Sequence, residues 1–318
     1  MNIRPGAVAL LFTAASLLAQ QKSGELETIH VQGNVWVIAG DGGNVAVQTG
    51  DLGVLVVDTG LAQNTDKLLA AIRKISDKPI QYILNTSFHA DQTGGNTAVK
   101  KAGVTITGAN VTGDIGDAAS GAAVLAHLNV LNRMSAPSGK QSPTPESAWP
   151  TDTYITGQKE VYFNEEPVTL VYQPNAHTDG DSFAVFRRSD VVASGDIYIT
   201  TSYPFIDIEN GGSIQGEIEA LNNLLDIMIP KHEEEGGTYV IPGHGRICDE
   251  YDVLEYRDMI TIVRDRVQAA IKKGMTLEQV KAAGYTKDFD PRYSAKSGPG
   301  TAENFVTSVY KSLTAAKK

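Results

Sequence analysis

The chain has 318 residues, with 37 acidic against 27 basic side chains, a net charge of −10, six histidines and one cysteine. An acidic surface argues against a nucleic-acid partner, and Cys248 alone excludes an internal disulfide, so an apolar core, with or without a metal, must hold the fold. The length suits one large domain better than several small ones.

The chain opens Met1-Asn2-Ile3-Arg4, then runs apolar from Ala7 to Ala19 before polar Gln20-Gln21-Lys22-Ser23. A positive start, an apolar stretch too short to span a bilayer and a small residue at its end read as a secretory signal over residues 1–19, which predicts a periplasmic or secreted protein. Its removal takes away only Arg4, leaving 26 basic against 37 acidic residues and a net charge of −11, in a single domain over 20–318. No later run reaches the roughly 18 apolar residues of a membrane-spanning helix.

Past a polar lead-in, residues 34–39 and 44–49 read as strands joined by Gly40-Asp41-Gly42-Gly43. Residues 53–60 form a third strand, apolar on both faces and therefore central, with Asp58 near its end. Leu68, Leu69, Ile72 and Ile75 fall at helical spacing. The apolar strand 79–84 then delivers a polar loop, Asn85 to Asn96, in which the spacing of His89 and Asp91 suits a metal or acid–base chemistry. Val104 to Thr107 is predicted as a strand and 117–134 as a helix, with Val124, Leu128 and Leu131 on one stripe. His127 lies on the edge of that stripe, either as a core histidine or as a group reaching a metal or substrate. Residues 136–149, which carry Lys140 and Trp149, read as a lid or as a passive excursion.

Strands are predicted again at 160–163, 168–172, 182–186 and 191–196. The second runs into a loop bearing His177, and the fourth ends at Asp196. A helix over 213–229 leads to the strand before Gly243-His244-Gly245. The tail reads as helices: Val253 to Lys273, a short one opened by a Thr276/Gln279 capping box, and Glu303 to Leu313. Strands and helices without a repeat make this a mixed α/β (α+β) fold.

His89, His177 and His244 each follow an apolar strand, and Asp91 and Asp196 occupy comparable positions, so a layered sheet would bring all five to one edge. Imidazoles and carboxylates without thiolates suit a catalytic zinc, with iron or manganese as alternatives. Asp196 could bridge two ions, and a water held there would lose its proton near neutrality.

In this order (a strand with Asp58-Thr59-Gly60, the segment Ser87-Phe88-His89-Ala90-Asp91-Gln92, His177-Thr178, Asp196, and Gly243-His244-Gly245) the chain resembles the metallo-β-lactamase superfamily from about Gly33 to Arg246. The resemblance implies an αββα sandwich, two mixed sheets flanked by helices. It also implies hydrolysis of an ester, thioester, lactone, lactam or phosphoester with one or two metal ions. It places His89 and His177 on a first metal, Asp91 and His244 on a second, and Asp196 between them. Asp91 would position or deprotonate the water, and Asp58 would orient a ligand from behind.

Ser87 and Gln92 stand where the family's His-x-His-x-Asp-His segment has its first and last histidines. Three outcomes stay open: one ion, two weakly held ions helped by Gln92 or His127, or an empty site. The leading expectation is an exported metal-dependent hydrolase of a small molecule, with one zinc ion or two. Asp179 and Asp181 would hold the His177 loop or serve as replacement ligands. Tyr198, Tyr203, Lys140, Trp149 and Arg246 are candidate pocket residues. The rivals are a non-catalytic periplasmic binding protein with a decayed metal site, and redox use of a bound iron.

Overall fold

The computed structural model describes residues 25–105, 121–136, 144–232 and 236–315. One sheet has seven strands in chain order: β1 (Glu27–Gln32), β2 (Val35–Ala39), β3 (Val45–Gly50), β4 (Gly53–Val57), β5 (Ile80–Leu84), β6 (Ala123–His127) and β7 (Asp152–Tyr154). The first four pair antiparallel through short turns. From β4 onward the neighbours are parallel, because helices carry the chain back: α1 (Thr65–Ile75), then α2 (Ala90–Thr93) with α3 (Asn96–Ala102), then α4 (Leu128–Ser135).

The second sheet contains β8 (Gln158–Phe163), β9 (Glu166–Tyr172), β10 (Ser182–Phe186), β11 (Val191–Gly195) and β12 (Tyr239–Pro242), in the order β12-β11-β10-β9-β8. Its one parallel pair, β11 with β12, is connected through α5 (Ile214–Ile227). The chain finishes with α6 (Glu250–Lys272), α7 (Leu277–Ala283), α8 (Asp290–Tyr293) and α9 (Ala302–Ala315).

Side-chain alternation builds the layers. Leu55 and Val57 of β4 point between the sheets, toward Phe163, Leu170, Phe186 and Ile241. Val54 and Val56 point the other way, against Leu68 and Ile72 of α1. On the far side, Phe183, Val192 and Val240 pack under Leu221, Tyr256, Ile260 and Phe305 from α5, α6 and α9. The result is an αββα sandwich in which β4, apolar on both faces, is central and buried throughout.

Several local expectations are corrected. The polar lead-in contains β1, a half-exposed edge strand whose burial is too shallow to imprint an apolar pattern. The expected helix over 117–134 begins only at Leu128; residues 123–127 are the parallel strand β6, and 117–120 lie outside the described residues. Val124, Leu125 and Ala126 are all buried, and so short an apolar run carries no period that separates strand from helix. Val104 and Thr105 form no strand, and residues 106 and 107 lie outside the described ones. The Thr276/Gln279 capping box is present at the start of α7. Residues 1–24, with the expected signal, lie outside the described residues; among those described, no helix is long and apolar enough to cross a membrane.

Candidate metal centre

The C-terminal ends of β4, β5, β11 and β12 and the loop after β9 converge on one edge of the sandwich. At the end of β4, Asp58 adopts a left-handed backbone (φ 63°), and its carboxylate accepts hydrogen bonds from Thr86 N at 2.8 Å and Thr86 Oγ1 at 2.6 Å. This clamp fixes where the 85–96 segment leaves β5. Its partner is therefore Thr86 and not, as the resemblance implied, one of the metal-binding side chains. Thr59 then donates from both N and Oγ1 to the Gln92 carbonyl, holding the far side of the same segment.

His177 comes from the loop after β9, and Asp181 braces that loop by accepting from both the N–H and the hydroxyl of Thr178. Asp196 follows β11 directly. It lies so close to the strand-end turn of β12 that a Cβ on Gly243 would collide with its carboxylate, which explains the glycine before His244.

Two groups of ligand atoms result, His89, His177 and Asp196 in one and Asp91, Asp196 and His244 in the other, each with its atoms within 4.8 Å of one another. Asp196 belongs to both. His89 Nδ1 lies 3.0 Å from His177 Nε2. His244 Nε2 donates to Asp91 Oδ2 at 3.0 Å and lies 3.5 Å from Asp196 Oδ1.

Charges follow burial. His177, fully enclosed, is pushed down to about 3 and is neutral. Burial raises Asp196, with the Asp91 carboxylate adding to it. Burial alone would also raise Asp91, but the bond to His244 and its charge leave it below the ordinary carboxylate value. Asp58 is pushed up to about 8 by burial against the opposing pull of Thr86.

The donor set fits a cation. Ser87 Oγ, Gln92 Oε1 and Asp196 Oδ1 are buried without a hydrogen-bond partner, and such orphans are costly where nothing satisfies them. Two imidazole nitrogens on one tetrahedral zinc would stand about 3.3 Å apart, close to the His89–His177 separation. Of the two departures, Gln92 touches the cluster through a side-chain hydrogen bond to Asp196, and Ser87 is buried two residues before His89.

Sequence reasoning missed Asp207. It caps a short 3-10 turn, Ile208–Asn210, after β11, and its Oδ2 accepts from His89 Nε2 at 3.0 Å. Its own N–H donates to the His177 carbonyl at 2.9 Å, so one residue holds both histidines. Asn210 Nδ2 donates to Asp207 Oδ2 at 2.7 Å, and Arg133 of α4 reaches Asn210 with one nitrogen and forks onto Asp179 with the other two. Asp179 is therefore the partner of Arg133 and not a replacement ligand.

Other expected residues lie elsewhere. His127 caps α4 through Nδ1 and stacks on Tyr172, ring centres 3.7 Å apart, in neither ligand group. Tyr198 packs in the core against Tyr256, and the Tyr203 hydroxyl donates to Thr286 O and Asp290, so neither faces the site. Their nearness in sequence to Asp196 misled, because the chain turns inward there. Arg246 pairs with Asp252, and Trp149 packs near Val130 and Met134. Lys140 lies outside the described residues. Cys248 is buried and its thiol is pushed up to about 11, so it is unreactive at neutral pH.

The cluster opens into a cavity of about 1090 Å³ lined by Phe88, Asp91, Phe205, His244 and, from the segment between α8 and α9, Ala295 and Pro299.

Residues 29–244 match the family described as the metallo-beta-lactamase superfamily. Over 301 residues the chain is 26% identical to a linear primary-alkylsulfatase of Pseudomonas sp. (strain ATCC 19151), covering 81% of this chain and 53% of that one. Among solved structures, the stereoselective inverting sec-alkylsulfatase Pisa1 from Pseudomonas sp. superposes with a TM-score of 0.63 at 15% identity, over 90% of this chain and 50% of its own. The DIM-1 metallo-beta-lactamase does so with a TM-score of 0.54 at 16% identity, over 74% and 97%. The chain spans about half the length of the alkylsulfatases it matches. With the family matched across more than half of the chain and its strand-end residues gathered at one edge, the protein belongs to the metallo-beta-lactamase superfamily.

Proposed function

We propose that the chain is an exported metal-dependent hydrolase that holds zinc, one ion at His89, His177 and Asp196 and, more weakly, a second at Asp91, Asp196 and His244. The observation that carries this reading is the shared carboxylate: Asp196 joins two ligand triads while one of its oxygens has no partner. Zinc bound there would supply Lewis acidity and lower the pKa of a water. His177, neutral and enclosed, offers a lone pair without having to lose a proton. Asp91, a carboxylate within the cluster, would orient the attacking water and receive its proton. The alkylsulfatase names of two relatives add support for cleavage of an ester-type bond.

A second reading, a binding protein with a lost metal site, is favoured by Ser87 and Gln92 alone. Elemental analysis of the full chain purified without chelator, beside His177→Ala and His244→Ala, separates the two. About one or two equivalents of zinc, lost in the variants, supports the hydrolase. Metal no higher than in the variants, even after incubation with excess zinc, selects the binding protein.

A further inference from the structure

His244 is the least firmly packed of the cluster histidines. Its side chain is 31% exposed, against 1% for His177, and it stands between Gly243 and Gly245, which leave the backbone on either side free to swivel. A ligand so placed needs its turn held from outside.

The hold comes from the other sheet. Asn44, in the turn between β2 and β3, donates its backbone N–H to the Gly243 carbonyl at 2.8 Å. Its Nδ2 donates to the Pro242 carbonyl at 2.8 Å and to the Gly245 carbonyl at 3.0 Å. The carbonyl left in this run, that of His244, accepts from Thr200 N at 3.0 Å. Every carbonyl from Pro242 to Gly245 is thus engaged, all but one of them by a single asparagine. Gly43, at φ 94°, brings the same turn onto the cluster: a Cβ there would stand 3.4 Å from the Asp91 carbonyl oxygen and 3.6 Å from His244 Cε1. The β2–β3 turn therefore lies against Asp91 and His244, the two residues that only the second ligand group contains.

We propose that Asn44 is a positioning residue for the second ion, setting His244 against Asp91 and Asp196 before metal arrives. The inference rests on the two-ion hydrolase reading and deepens it. The first triad has a different support, Asp207, which holds His89 by its carboxylate and His177 by its N–H, so each ion depends on its own outer residue.

Zinc titration of the full chain against a chromophoric chelator tests this, with cadmium NMR telling the sites apart and His177→Ala and His244→Ala assigning the two resonances. Asn44→Ala removes both side-chain bonds, and Asn44→Leu removes them while keeping the bulk. Each should weaken the second zinc by about 10–100-fold and move only the second cadmium resonance, with the first zinc held within about twofold. Retention of the first zinc shows that the variant is folded, so weakening of both sites together overturns the proposal, as does an unchanged second site. In the zinc-free chain, the NMR contact between the His244 Cε1 proton and the Gly43 α-protons should be present in the wild type and lost in both variants. Its absence from the wild type, or its persistence in the variants, also overturns the proposal. A wild type that takes up one zinc or none, while that contact still depends on Asn44, overturns the two-ion reading instead and leaves the positioning of His244 standing.

Discussion

His89 Nδ1 and His177 Nε2 face one another at 3.0 Å, and each histidine is tied to the same third residue, Asp207. The carboxylate fixes a proton on His89 Nε2, which leaves Nδ1 as the metal-facing nitrogen.

Asp207→Ala should therefore weaken zinc binding by about 10–100-fold, as losses of such outer carboxylates do. Both variants keep the backbone N–H bond to the His177 carbonyl, so Asp207→Asn, which also keeps an oxygen for His89, should lie between. Competition with a chromophoric chelator measures both. Equal affinity in all three proteins would mean that His89 is oriented without Asp207.

Restoring an imidazole should act in the opposite direction. Ser87→His and Gln92→His place a nitrogen donor where a buried oxygen now has no partner, and each should tighten zinc binding at least about tenfold, or 1.4 kcal/mol. Both positions are buried, so the larger ring should cost about 1–3 kcal/mol in the metal-free protein. Added zinc should recover that loss, seen as a melting temperature lower than wild type with chelator and at least equal to it with metal. A variant that stays destabilised in excess zinc would show that its imidazole does not reach the ion.

A third prediction concerns Glu217 of α5, fully buried with neither carboxylate oxygen partnered. Burial raises its pKa well above the ordinary 4.5. A carboxyl with a raised folded pKa keeps a proton that the unfolded chain has already released, so its contribution erodes stability as pH climbs from about 4.5 toward the folded value. Glu217→Gln removes that penalty. Thermal melts should show the variant gaining about 1–3 kcal/mol over wild type at pH 8 and little at pH 5. A gain independent of pH would mean that Glu217 does not titrate differently on unfolding.

Asp249 opens α6 by accepting from Asp252 N at 3.3 Å, while the Asp252 carboxylate returns to Asp249 N at 3.4 Å. Asp249→Ala should cost about 1 kcal/mol, as lost helix caps do. Zinc content should be unchanged, because α6 contributes no ligand. A fall in zinc content would tie the α6 terminus to the adjoining His244 turn.

What the sequence disclosed was set by how each residue is placed. Asp196 and His244 sit at the ends of apolar strands, and His89 and Asp91 on the polar segment that an apolar strand delivers, and a polar residue after an apolar run is conspicuous. Asp207 follows no strand; it is reached through an irregular turn eleven residues beyond Asp196, where neither period nor composition marks it. β4 was legible because both of its faces are buried, and β1 was not, because its residues are mostly half exposed. His127 shows a third kind of limit: capping a helix and stacking on Tyr172 are tertiary facts, invisible in a run that also fits a helix.

The cluster also spans the seam of the sandwich. His89 and Asp91 hang from the seven-stranded sheet, while His177, Asp196 and His244 hang from the five-stranded one. An ion at either triad would rivet the sheets together, and the spacing of its ligands would gauge how one sheet slides on the other. Thinning the filling between them, for example at Leu55 or Phe186, should then blur ligand spacing and slacken metal retention before it melts either sheet.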